Sequence, residues 1–180
     1  MVKIADFGLA INVSEKGEDG RFGIEGFTTW YKPPEVLMGS RSYDQSFDIW
    51  SFACVFGEML NGAPLFPGSN DLHQVSKMSQ YIGSPTEDNW PSVVDMPNYN
   101  KIHFEKRPPQ VLEEIFMDAS RSEVELLASM LKYDRRLTAE ELLKSSYFKE
   151  YPPPLPKLLP EEKLEEVEIA KYEDIFKVDS

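Results

Sequence analysis

The sequence predicts a mainly α fold, and three observations carry that expectation. Apolar residues recur at helical spacing over 47–60 and 71–82. Two capping boxes, Ser120 with Glu123 and Thr138 with Glu141, open further helices. No strand pattern follows the first few residues. With 180 residues, 41% of them hydrophobic, the chain suits one modest domain with a core. Its 11 Phe, 8 Tyr and 3 Trp argue against disorder.

Taken in order, Met1-Val-Lys-Ile-Ala5 reads as a short strand and Asp6-Phe-Gly8 as the turn that ends it. Residues 12–26 hold Gly17, Gly20, Gly23 and Gly26 among charged side chains, and so read as a loop. Pro33-Pro34-Glu35-Val-Leu37 suits the first turn of a short helix, where proline is tolerated. Between Phe47 and Leu60, Ile49, Trp50, Phe52, Val55, Phe56, Met59 and Leu60 cover most of the helical circumference. Asp48 and Glu58 are the only charges there, which predicts a buried helix. Asn61-Gly62 and Pro64 stop it. Leu72, Val75, Met78 and Ile82 mark a second helix from Asp71 to about Tyr81. Residues 83–119, punctuated by Ser84-Pro85, Trp90-Pro91, Met96-Pro97 and Pro108-Pro109, predict a packed irregular insert. The capping boxes then lead into Val124, Leu127 and Leu131, and into Leu142, Leu143 and Phe148. Tyr151-Pro-Pro-Pro154 ends the domain, leaving 152–180 as a Pro-rich and then acidic tail. The Pro152–Pro160 run reads as a stiff spacer.

Composition also excludes functions. Nineteen Lys and Arg against 31 Asp and Glu give a net charge of −12, unsuited to non-specific nucleic-acid binding. No apolar run approaches the roughly 18 residues of a membrane span, and no signal peptide is readable, so a cytoplasmic or nuclear location is expected. The single cysteine, Cys54, allows no internal disulfide and reads as a small core residue. His73 and His103 match no local metal-ligand spacing.

Three motifs recur in order: Asp6-Phe-Gly-Leu-Ala10, Thr28-Thr-Trp-Tyr-Lys-Pro-Pro-Glu35 and Asp48-Ile-Trp-Ser51. Together they resemble the C-terminal, helical lobe of a eukaryotic protein kinase over residues 1–151, with an activation segment at 6–35. Trp30-Tyr31 and the insert at 83–119 are similar to the cyclin-dependent and mitogen-activated branch. The stretches Tyr43-Asp-Gln45, Asn61 to Asp71 and Pro97 to Phe104 look most like cell-cycle-related kinase.

The resemblance implies roles. Asp6 would hold magnesium bridging the phosphates of ATP, and so bind cofactor, while Phe7 would be a hydrophobic spine residue beside the turn glycine Gly8. The tripeptide taken by itself also fits an Asp side chain stabilising its own turn. Thr28, Trp30, Tyr31 and Lys32 would line the site for the substrate residue after the phosphoacceptor, usually a proline in this branch. Glu35 would pair with Arg136, and Asp48 would sit buried at the start of the central helix, accepting hydrogen bonds from the catalytic loop. Glu35, Asp48, Trp50 and Arg136 are thus scaffold residues. A protein substrate and a cyclin-like activator are the implied partners.

Several departures qualify this. Gly23 stands where relatives carry a phosphorylatable threonine, and Lys32 replaces an arginine, keeping the charge but losing the bidentate fork. Lys132-Tyr-Asp-Arg-Arg136 is shorter than the family's version. No glycine-rich loop, strand lysine or His-Arg-Asp loop is found, so no catalytic residue is assigned. The chain by itself is expected neither to bind ATP well nor to phosphorylate. The leading expectation is a fragment of a proline-directed serine/threonine kinase. The rival is an inactive helical lobe acting as a binding module or decoy. Substrate, activator, pathway and oligomeric state are not legible.

Overall fold

The computed structural model describes residues 4–12 and 26–150. The chain divides into two compact units, Met1–Tyr147 and Phe148–Ser180. The Pro-rich and acidic tail, most of the 12–26 loop and the start of the expected strand lie outside the described residues.

Seven α-helices form among the described residues. They are α1 (Pro34–Leu37), α2 (Ser46–Asn61), α3 (Asp71–Ile82), α4 (Leu112–Ile115), α5 (Arg121–Met130), α6 (Ala139–Leu142) and α7 (Ser146–Glu150). No strand occurs among the described residues. Ile4 and Ala5, expected in one, are exposed and join no ladder, and no second strand to pair with lies among the described residues.

Helix α2 is the axis of the first unit, packing on α5, while α1 packs on α3. Its inner face buries Phe47, Trp50, Ala53, Cys54, Phe56 and Gly57. Trp50 is fully buried and stacks on Phe66, with ring centroids 5.9 Å apart. Gly62 ends the helix in the left-handed region, at φ 70°, and its N–H closes on the Glu58 carbonyl.

The expectation that α2 is buried all round is corrected. Phe52, Val55 and Met59 are 45, 45 and 66% exposed, and Asp48 is exposed with them. Positions 48, 52, 55 and 59 follow one another at four, three and four residues, so they share one face. That face meets water. Asp48 is exposed on that face, its carboxylate in the first turn where the helix dipole favours negative charge, and the catalytic loop expected to cover it has no counterpart among the described residues. Leu72 on α3 is likewise exposed, while Val75 and Met78 are buried.

Both capping boxes form. The Ser120 hydroxyl accepts from the Glu123 N–H while the Glu123 carboxylate accepts from the Ser120 N–H at 2.7 Å, and Thr138 with Glu141 does the same. The second box opens only a four-residue helix, and Leu143 beyond it is 60% exposed.

The insert is pinned at several points. Tyr133 stacks almost parallel on Trp90 at 5.4 Å, and its hydroxyl donates to the Gly83 carbonyl at 2.8 Å. Burial pushes that phenol's pKa up. The Ser84 N–H donates to the Arg107 carbonyl at 2.9 Å, tying the start of the insert to its later part. The Asn98 N–H donates to the Met38 carbonyl, holding the middle of the insert against the residue that follows α1.

Candidate functional site

The Thr28–Lys32 segment is a single 3-10 turn over Thr29–Tyr31, opened by Thr28 and closed by Lys32 in extended conformation. Its backbone carbonyls point into the protein and are taken up there. The Ser51 hydroxyl donates to the Tyr31 carbonyl at 2.9 Å, and the Gln74 amide donates to the Trp30 carbonyl at 2.9 Å. Two side chains of the segment are anchored as well. The Tyr31 hydroxyl donates to Glu58 Oε2 at 2.8 Å, and Trp30 Nε1 donates to the Gly68 carbonyl at 3.0 Å. The hydrogen bond to Glu58 raises the Tyr31 pKa, with burial and the carboxylate's charge adding to it. The turn is thereby fastened to α2 through Ser51 and Glu58, and to the start of α3 through Gln74.

Below this segment lies an ion pair. Arg136 donates from Nη1 to Glu35 Oε1 at 2.8 Å and from Nη2 to Glu35 Oε2 at 2.7 Å, a parallel fork. The Arg136 side chain is 3% exposed and that of Glu35 16%. Nη1 also reaches the Ser46 carbonyl, Nε donates to the Lys132 carbonyl, and the guanidinium lies 5.0 Å from the Trp50 ring centroid. One arginine thus joins α1, the start of α2, the loop before α6 and the central tryptophan. The shortened Lys132–Arg136 stretch still reaches Glu35, with Arg135 adopting a left-handed φ of 52°.

Cys54, one turn past Trp50, is 2% exposed, and burial pushes its thiol up to about 12. It is an inert core group. His73 is exposed, and its Nδ1 lies 3.0 Å from the Ser69 hydroxyl. His103 is exposed too.

The Asp6-Phe-Gly8 turn stands apart from these groups. Asp6 adopts a left-handed φ of 63°, and its Oδ1 accepts from the Gly8 N–H at 3.2 Å. The carboxylate stabilises its own turn and is exposed. Phe7 is 57% exposed, and Ile4, Leu9 and Ile11 beside it are also exposed. Magnesium requires six oxygens in near-octahedral array. Such an ion commonly takes one or two carboxylates and completes its shell with water and phosphate oxygens, so Asp6 could supply one of them; no group of three or more metal-ligating side chains occurs among the described residues.

The residues that fasten the turn were not singled out from sequence. Glu58 was visible as a charge in an apolar helix, and Gln74 as a polar side chain beside buried Val75. Neither signal names its partner, because both bonds cross more than 25 residues of chain.

Comparison with known proteins accords with this arrangement. Residues 1–148 match the protein kinase domain family. The chain is 43% identical over 157 residues to cyclin-dependent kinase 20 of Danio rerio, covering 86% of this chain and 45% of that protein. It is 42% identical over 157 residues to the Homo sapiens protein of that name, covering 86% and 44%. To cyclin-dependent kinase C-1 of Oryza sativa subsp. japonica it is 40% identical over 162 residues, covering 88% and 31%. The chain spans less than half the length of these relatives. With ordered kinase motifs, a helical scaffold and this match, the chain belongs to the protein kinase domain family, in its cyclin-dependent-kinase-like branch.

Proposed function

We propose that this chain is the substrate-holding helical part of a proline-directed serine/threonine kinase, which transfers the γ-phosphate of ATP to protein hydroxyls. The observation that supports it best is the Thr28–Lys32 turn, whose backbone is fixed from below by Ser51 and Gln74 while Trp30 keeps 39% of its surface in solvent. A rigid, half-exposed aromatic turn suits recognition of a short extended peptide, because little ordering is required on binding. Within the complete enzyme Asp6 contributes one oxygen to magnesium, and Lys32 supplies positive charge beside the substrate. A protein substrate and a cyclin-like activator are the partners, in cytoplasm or nucleus.

The 180-residue chain alone is inactive in this reading. Phosphoryl transfer depends on positioning and charge stabilisation from several groups at once, and the sequence offers neither a His-Arg-Asp loop nor a glycine-rich loop. Incubating the chain with magnesium, γ-labelled ATP and a Ser-Pro peptide should give no transfer above that of an Asp6→Asn variant. Peptide binding, followed by fluorescence anisotropy, should favour Ser-Pro over Ser-Ala. Transfer that Asp6→Asn abolishes would overturn the inactivity. Equal binding of both peptides would overturn the substrate role.

A further inference from the structure

Gln74 is fully buried, although it lies near the start of α3, in a stretch where Asp71, Leu72 and His73 are all exposed. Its amide completes a closed ring of three hydrogen bonds. Gln74 Nε2 donates to the Trp30 carbonyl at 2.9 Å, Trp30 Nε1 donates to the Gly68 carbonyl at 3.0 Å, and the Gly68 N–H donates to Gln74 Oε1 at 2.9 Å. Within the ring each of the three residues gives one bond and receives one, and the Gly68 N–H is shared with the Phe66 carbonyl at 2.8 Å. Glutamine is suited to this task because its side chain donates and accepts from one planar group. Gly68 is required for a different reason. A Cβ there would come within 2.6 Å of the Gln74 backbone and closer still to Oε1, so no side chain fits between the loop and the helix.

We propose that Gln74 is a positioning residue that sets the backbone of Thr28–Lys32 through this ring, with Gly68 as its obligatory partner. The bond from that amide to the Trp30 carbonyl is direct and ties the turn to α3. Without it, the Trp30 carbonyl loses its tether to α3, and the Gly68 N–H keeps only its bond to the Phe66 carbonyl at 2.8 Å, which loosens the loop to which the indole is bonded. The consequence for substrate selection rests on the reading of this turn as the substrate segment.

Tryptophan fluorescence isolates the effect. Of the three tryptophans, Trp50 and Trp90 are 0 and 3% exposed, so iodide quenching of the 180-residue chain reports Trp30. In Gln74→Met, which keeps length and apolar bulk, the turn should open locally and the quenching constant should rise about twofold. Gly68→Ala, acting from the opposite side of the ring, should do the same. Ser79→Ala, which removes a different buried hydroxyl of α3, should leave quenching at the wild-type value even where it lowers the melting temperature. Quenching in both ring variants equal to that of Ser79→Ala would overturn the proposal, and the two variants guard against one failing to fold. Anisotropy of labelled Ser-Pro and Ser-Ala peptides provides the second readout. A wild-type preference that shrinks in Gln74→Met extends the positioning to substrate. No preference in wild type sinks the substrate reading alone, and quenching still decides whether Gln74 sets the turn.

Discussion

Neutralising Glu35 should destabilise the protein more than any surface substitution. In Glu35→Gln the side chain keeps its size, but Arg136, 3% exposed, faces a neutral amide where it now makes a two-bonded ion pair. Removing one partner of a buried pair costs about 3–5 kcal/mol, because the remaining charge stays desolvated. The Ser46 and Lys132 carbonyls and the Trp50 ring continue to hold the guanidinium, which favours the lower end, about 3 kcal/mol. For a domain of this size each kcal/mol shifts the melting temperature by about 2–4 °C, so a fall of about 6–12 °C is expected. Urea titrations of wild type, Glu35→Gln, Arg136→Met and the double variant would measure it. The double variant should be less destabilised than the sum of the singles, since it leaves no buried charge alone. Strict additivity, or a loss under about 1 kcal/mol in Glu35→Gln, would refute the argument that the pair is buried and coupled.

Three further outcomes are expected. The Cys54 thiol, pushed up to about 12 from 9.0, keeps its proton in the folded state where the unfolded chain loses it. Its contribution to stability is therefore complete below pH 9 and is lost as pH rises from 9 towards 12. Cys54→Ala should flatten that part of a denaturation profile by up to about 1.4 kcal/mol per pH unit. Ser120→Ala removes a hydroxyl that caps α5 and should lower stability by about 1 kcal/mol in urea, with Ser120→Gly losing less. On α2, Phe52→Gln with Met59→Gln should reduce concentration-dependent association in light scattering while barely moving the melting temperature, because both side chains are mostly in solvent. A large thermal loss in that variant would mean the face is covered.

What the sequence made legible was local. The caps at Ser120 and Thr138, the stop at Gly62 and the helical spacing of Val75 and Met78 each depend on residues within a few positions, and each is found where its pattern points. What it hid depends on the surroundings. The apolar stripe Phe52, Val55 and Met59 carries the same chemistry as the buried stripe of α2, so periodicity cannot tell which side has a neighbour. The strand at Ile4 and Ala5 failed for want of a partner, which no propensity supplies. At the site, Glu35 and Arg136 came from motif resemblance, whereas Ser51, Gly68 and Gln74 act through backbone carbonyls and amides that carry no sequence signature.

The Glu35–Arg136 fork closes a loop of 101 residues, and this sets an order of events during synthesis. At about 5–20 residues per second, the ribosome needs roughly 5–20 s after making Glu35 before Arg136 exists. Throughout that interval the Glu35 carboxylate lacks its arginine partner, whereas the Thr28–Lys32 turn already has Ser51, Glu58 and Gln74 to hold it. The ion pair under α1 is thus completed well after the helix that carries its carboxylate has been translated. A nascent chain stalled short of residue 136 should remain open to proteolysis near Glu35, and release past that point should close it.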